Sequence, residues 1–232
     1  MTDVLRADLA ARYDLDAGQM NRLEVVLNVI GEDVHAPTSV RDPAEAADVH
    51  VADSLAGLDV DRLRTAPRIA DLGAGAGFPG VVLAVALPVA DVRLVESQRR
   101  KCEFLERLCD EAEIENTSVV WARAEEWLEG LTDNDAVVAR ALASQAVVLE
   151  YAAPLLTVGG VLVDWRGRRE PEEERSAADA AGLLGMRLLE IRKVEPFAGA
   201  REHHLHVFEK VTVTPERFPR RAGMARKRPL SS

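Results

Sequence analysis

Arg68-Ile69-Ala70-Asp71-Leu72-Gly73-Ala74-Gly75-Ala76-Gly77-Phe78-Pro79-Gly80 is the stretch that decides the fold. An apolar run closing on an acid and then on three alternate glycines reads as a buried strand entering a turn. Pro79 can then open a helix at its first position. The glycines permit tight turning and let a ligand approach main-chain N–H groups closely. In Gly73-x-Gly75-x-Gly77 the third glycine comes one residue too early for the G-x-G-x-x-G pyrophosphate fingerprint. A nucleoside suits this turn better than a dinucleotide.

Working outward, Asp91-Val92-Arg93-Leu94-Val95-Glu96 is strand-like and ends in a carboxylate nineteen residues after Gly77. In a doubly wound sheet that carboxylate sits beside the glycine turn, where its oxygens can accept both ribose hydroxyls. Asp71, Gly73, Gly75, Gly77, Phe78 and Glu96 are therefore candidate contacts for an adenosine-type cofactor. A generic tight turn with an unrelated surface Glu is the blander reading. The helix-length spacing between turn and acid, which a βαβ unit requires, speaks against it.

The rest of the chain extends this pattern. Strands are expected near 68–72, 91–96, 117–121, 135–139 and 158–165, with helices near 79–87, 98–113, 144–153 and 171–184. Such alternation means a parallel sheet covered on both faces, with ligands beyond the carboxyl ends of the strands. Met186–Val194 and His203–Val211 are strand-like runs joined without a helix, so they should pair antiparallel. A parallel sheet finished by such a hairpin is known from adenosylmethionine-dependent methyltransferases, whereas dinucleotide dehydrogenases usually end on another parallel unit. A nicotinamide oxidoreductase is thus disfavoured twice, by the glycine spacing and by the hairpin.

Ahead of the glycine strand, helices are expected near 3–13 and 18–33, the second with a stripe of Leu23, Val26, Leu27 and Ile30. After a loop with two prolines at 35–43, Ala44–Leu58 resumes a helix carrying His50, Asp53 and Ser54. Spacing alone makes His50 and Asp53 a helix-surface pair at i, i+3. The expected divisions are a helical cap at 1–62, a catalytic domain at 63–213 and a basic tail at 214–232.

Composition bounds the class. At 232 residues and 47% hydrophobic content the chain can build one large α/β domain with an appendage. No run approaches the roughly 18–20 apolar residues of a membrane span, and the start lacks a basic-then-apolar signal character. A cytosolic protein without membrane association is expected. The two cysteines, Cys102 and Cys109, fall on one face of one helix but too far apart along its axis for a disulfide; small core residues are expected. Net charge is −10, yet from Pro215 onward six basic residues (Arg217, Arg220, Arg221, Arg226, Lys227, Arg228) face the single acid Glu216. An acidic body repels nucleic acid except where such a tail captures it. His203, His204 and His206 alternate along a strand, but no Cys or acid completes a tetrahedral metal set, so surface histidines and no metal are expected.

Two further strand ends bear on the chemistry. After the third strand, Ala124 can offer a backbone N–H to a ring nitrogen and Glu125 can accept from an exocyclic amine; an ordinary acidic helix turn is the alternative. After the fourth, Arg140 projects at the pocket mouth. This position has no Asn-Pro-Pro-Tyr or Asp-Pro-Pro-Tyr for amine methylation and no cysteine nucleophile for pyrimidine carbon. A purine N7, whose lone pair is already free, needs neither.

Four stretches together resemble the bacterial RsmG (GidB) family: Asp71-x-Gly73-x-Gly75-x-Gly77-Phe78-Pro79-Gly80, Glu96-Ser97-x4-Cys102-x-Phe104-Leu105, Arg140-Ala141-x-Ala143-Ser144, and Phe218-Pro219-Arg220-Arg221-Ala222-Gly223-x3-Lys227-x-Pro229-Leu230. The resemblance runs from about Leu23 to the C-terminus. It implies a class I, Rossmann-like α/β methyltransferase with a mostly parallel seven-stranded sheet, a C-terminal antiparallel hairpin and an N-terminal helical extension. It further implies S-adenosylmethionine held by Gly73, Phe78, Ala124, Glu125 and Arg140, and a guanine N7 of 16S ribosomal RNA, free or in the small subunit, as substrate. His50, Asp53 and Ser54 match the family's His-x-x-Asp-Ser element, so Arg140, His50 and Asp53 become candidate positioning residues. Arg166, Arg220, Arg221, Arg226, Lys227 and Arg228 are candidate RNA contacts, the tail acting as a clamp on an expected monomer. Departures fall at Ala36-Pro37-Thr38 (Asn-Leu-Thr in the family), Val49 (Arg), Arg166 (Lys), Phe218 (Tyr) and Ala225 (Pro). A non-catalytic RNA-binding or assembly protein with a vestigial pocket is the rival outside enzymes.

Overall fold

The computed structural model describes residues 3–230. Seven strands form one sheet in the order β3-β2-β1-β4-β5-β7-β6. These are β1 (Arg68–Leu72), β2 (Asp91–Glu96), β3 (Thr117–Trp121), β4 (Asn134–Arg140), β5 (Leu156–Arg166), β6 (Met186–Val194) and β7 (His203–Lys210). The first five are parallel, and β7 runs antiparallel to both β5 and β6. The strand order reverses between β1 and β4, which places the crevice of the sheet at the end of the glycine strand.

β1 is central, so both its faces are covered and its sequence is an unbroken apolar run ending in Asp71. Alternate residues enter different cores. Ile69 joins α2 (Ala17–Glu32), α6 (Gly80–Ala86) and α7 (Arg99–Glu111) on one face through Leu23, Val81 and Leu105. Ala70 and Leu72 join α8 (Gln145–Ala152) and α9 (Pro171–Leu183) on the other, through Val147 and Ala177. The expected stripe Leu23, Val26, Leu27, Ile30 is buried, and α2 begins with a capping box between Asp16 and Gln19, both bonds at 2.8 Å. The helical extension, which also includes α1 (Asp3–Tyr13), thus continues the core of the sheet.

The segment expected as one plain helix over 44–58 is different. Its path is α3 (Pro43–Ala46), a π turn (Ala47–Ala52), α4 (Asp53–Leu55) and a 3₁₀ turn (Ala56–Asp59), followed by α5 (Asp61–Arg64). A π turn adds a residue per turn and rotates the side chains beyond it. His50 and Asp53 are consequently 8% and 5% exposed, so the surface-pair reading from spacing fails. The run is pinned to β5 by the Trp165 indole, whose Nε1 donates to the Asp53 carbonyl at 2.9 Å. Gly57 makes this approach possible, since a Cβ there would lie 2.5 Å from the Trp165 ring.

The histidines of β7 also differ from expectation. β7 is an inner strand, paired along both edges with β5 and β6, and His204 and His206 are buried while His203 is partly so. Burial pushes the His206 imidazole down to about 4. Cys102 and Cys109 are buried and free, as a core role requires. No helix among the described residues is long and apolar enough to cross a membrane.

Candidate active site

The glycine turn is built by main-chain geometry. Gly73, Gly75 and Gly77 hold φ of +71°, +57° and +97°, conformations that side-chain-bearing residues rarely adopt. Gly73 N–H and Ala74 N–H both donate to the Val95 carbonyl, at 2.8 and 3.2 Å, which ties the turn to the end of β2. Asp71 closes it from below, its Oδ2 accepting the Gly80 N–H at 2.8 Å. Burial pushes the Asp71 carboxyl up to about 7; the Gly80 N–H and the Arg140 cation oppose the shift, and Glu96 adds to it. Its Oδ1 is buried without a partner.

Glu96, the candidate ribose-binding acid, is 4% exposed at the tip of β2. Its Oε1 accepts from Gln98 N–H at 2.8 Å and from Ser97 Oγ at 3.2 Å, and its Oε2 from Gly75 N–H at 3.2 Å. Beside it opens a cavity of about 270 Å³ lined by Gly73, Val95, Ala124, Glu125, Tyr151 and Arg226, among others. A larger cleft of about 640 Å³, between Gln19 and Asn116 at the opposite end of the strands, contains none of the predicted residues.

The second half of the site stands over β4. Arg140 Nη1 donates to the Val49 carbonyl at 2.8 Å and to Asp53 Oδ2 at 2.9 Å. Its guanidinium lies over the Phe78 ring, Cζ 5.5 Å from the centroid. His50 stacks on Phe78 with centroids 4.4 Å apart and planes at 12°, and its Nε2 meets Thr38 Oγ1 at 3.0 Å. Burial first, and the Arg140 charge second, push the His50 imidazole down to about 4. The candidate positioning residues are therefore assembled with Phe78 into one cluster beside the glycine turn.

The candidate RNA residues divide. Arg166 is turned inward, Nε to Asp164 Oδ2 at 2.7 Å and Nη2 to the Ala143 carbonyl at 3.0 Å. Arg220 pairs with the buried Glu150. Arg221, Arg226, Lys227 and Arg228 are exposed. Two site residues were not among the candidates from sequence: Thr38, and His203, whose Nδ1 donates to Asp53 Oδ1 at 2.9 Å. Thr38 carried a signal, being the one residue of Ala36-Pro37-Thr38 that keeps the family pattern.

A family model described as GidB, rRNA small subunit methyltransferase G, matches residues 18–204. The chain belongs to this family. Its relatives include the ribosomal RNA small subunit methyltransferase G of Pelotomaculum thermopropionicum, 39% identical over 83% of this chain and 82% of that one. The enzyme of the same description from Rubrobacter xylanophilus is 38% identical over 88% of this chain and 77% of its own length. Among solved structures, a SAM-dependent O-methyltransferase from Thermotoga maritima aligns over 78% of this chain and 74% of its own, at a TM-score of 0.56 and 16% identity. A Burkholderia thailandensis N1-methyltransferase, solved with S-adenosylhomocysteine, aligns over 80% of this chain and 88% of its own, at 0.54 and 14%. At those identities the likeness shows the fold alone, the class I methyltransferase fold.

Membership makes this chain an rRNA methyltransferase of the small subunit, with S-adenosylmethionine as its cofactor. The residues fit that group: a glycine turn with left-handed φ values, an acid at the tip of the neighbouring strand and a cavity between them and Ala124.

Proposed function

We propose that this protein methylates N7 of a guanine in 16S ribosomal RNA, by direct transfer with no covalent intermediate. The observation that carries this reading is the chemistry missing from the cluster over β4. Of its two imidazoles, His50 has its pKa pushed down to about 4 and is already engaged by Thr38, while His203 gives its Nδ1 to Asp53. Its one carboxylate, Asp53, is engaged by Arg140 and His203. Both thiols are buried in α7, with their pKa values raised by burial. Among the described residues no thiol and no unengaged carboxylate stands in this cluster, which suits an acceptor atom with an exposed lone pair.

Bound S-adenosylmethionine supplies an electrophilic methyl group on a sulfonium cation. Glu96 and the main chain of Gly73–Gly77 hold the adenosine end, with Ala124 and Glu125 at the purine. Arg140, fixed by Val49 and Asp53, orients the incoming base or the cofactor carboxylate through its planar fork of donors. A general base contributes about 10²–10⁴-fold, whereas aligning two bound reactants supplies roughly 7–11 kcal/mol. Alignment alone suffices for a free lone pair. On the RNA side, Arg221, Lys227 and Arg228 are the outward cations that meet phosphates, and the protein acts as a cytosolic monomer.

The test is to map N7-methylguanosine in 16S RNA by borohydride and aniline cleavage, before and after incubation with the protein and cofactor. A single new cleavage, absent with Gly73→Asp, is the expected result. Methyl incorporation at another atom overturns the N7 assignment.

A further inference from the structure

The C-terminal segment is a docked part of the fold. Phe218 and Ala225 are buried in the core formed by α8 and α9. Arg220 faces Glu150 with both nitrogens of its fork: Nε meets Oε1 at 2.6 Å, and Nη2 meets Oε2 and also donates to the Arg228 carbonyl at 2.8 Å. Glu150 is 1% exposed, and an unpaired carboxylate at that depth is unfavourable, so this pair holds the segment down.

Beyond that anchor the segment reaches the cofactor cavity. Gly223 takes a left-handed φ of +75° and its N–H donates to Glu125 Oε1 at 2.8 Å. A Cβ at Gly223 would meet nothing within 4 Å, so backbone conformation and not space is what calls for glycine there. On α10 (Met224–Lys227), Arg226 donates from Nη2 to the Leu142 carbonyl at 3.0 Å. Arg226, Leu142, Glu125 and Tyr151 all line the cavity that Gly73 and Ala124 line from the other side. One segment therefore holds the Glu125 side chain and contributes a planar cation to the cavity.

We propose that Phe218–Leu230 forms the outer wall of the cofactor cavity, with Arg226 facing the purine, and that its docking makes cofactor affinity and RNA affinity depend on each other. A guanidinium is flat and stacks on aromatic rings, which fits a purine better than an ammonium does. Arg221, Lys227 and Arg228 are exposed on the same short segment. Phosphates bound by them restrain the turn that carries Gly223 and Arg226. Coupling of this kind is reciprocal: whatever factor RNA adds to cofactor affinity, cofactor adds to RNA affinity. The RNA half rests on the functional reading above; the cavity wall does not.

Equilibrium dialysis of tritiated S-adenosylhomocysteine against the full chain, with and without unmethylated small ribosomal subunits, tests both halves. In the native protein the subunits should tighten S-adenosylhomocysteine by roughly fivefold or more. Arg226→Ala should weaken it roughly tenfold without RNA, and Gly223→Ala, which strains the turn, should weaken it and reduce the coupling. Circular dichroism of both variants confirms that they are folded. Affinity within twofold of native in both folded variants overturns the wall, and subunits that leave native affinity unchanged overturn the coupling. Normal N7-methylguanosine formation alongside either result leaves the functional reading standing; its absence, with wall and coupling intact, sinks that reading alone.

Discussion

Arg140 at the end of β4 and Asp53 in the helical cap form an ion pair of 2.9 Å across 87 residues of sequence, and His203 takes the other oxygen of the same carboxylate. The pair joins the π-turn segment to the sheet beside Phe78. Removing the cation leaves Asp53, 5% exposed, with a single partner. Arg140→Ala is expected to cost about 3 kcal/mol of stability. Adding Asp53→Asn should recover part of this, because the stranded charge is gone. A double-mutant cycle in urea checks it; strictly additive losses would mean that the pair contributes nothing.

His50 gives a pH dependence of known sign. Its folded value of about 4 lies below the ordinary 6.5, so the unfolded chain binds the proton more readily. The stability it contributes is complete above about pH 6.5 and is lost as pH falls toward 4. The imidazole resonances of His50 in the folded protein should titrate near pH 4, and the activity profile between pH 6 and 8 should show no limb assignable to it. Titration near pH 6.5 would contradict the stacked, desolvated environment on Phe78.

Asp71 has the opposite sign. Its folded value, raised to about 7 from 3.8, means that its contribution is complete below about pH 3.8 and is lost as pH climbs through 7. Asp71→Asn keeps an acceptor for the Gly80 N–H and removes the titration. Urea midpoints measured from pH 4 to 8 should therefore fall less for the variant than for the native protein.

Gly80 is fixed by its neighbours. A Cβ there would stand 2.5 Å from Leu94 Cδ2 and 2.6 Å from Asp71 Oδ2. Gly80→Ala should cost roughly 1–3 kcal/mol through overpacking. It should also weaken S-adenosylmethionine in calorimetry, because the acid that closes the turn is displaced.

The tail cations should separate by salt dependence. Arg221 and Lys227 point outward, so replacing both by Ala should reduce the slope of log affinity against log salt by about 1.4 for single-stranded RNA. Arg220→Ala should leave that slope unchanged and lower the melting temperature, since its partner is Glu150.

The strand and helix order, the antiparallel finish, and the roles of Asp71, Gly73, Gly75 and Gly77 as a turn facing Glu96 were legible in the linear chain. Period-two and period-3.6 apolar patterns and left-handed glycines are local signals, and each element carries its own. His50 and Asp53 show where local signals stop. Their spacing describes a surface pair, and only the π turn and the arrival of Arg140, Phe78 and His203 from distant segments bury them together. The tail obeys the same logic. Its charge count alone describes a clamp for phosphate, but Arg220 is drawn inward because Glu150, 70 residues away, needs a cation in a dry place. Sequence by itself determined the sheet, the glycine turn and the family. Tertiary structure alone decided which charges face water, because a side chain's partners across long separations are set by how the elements pack and not by the residues beside it.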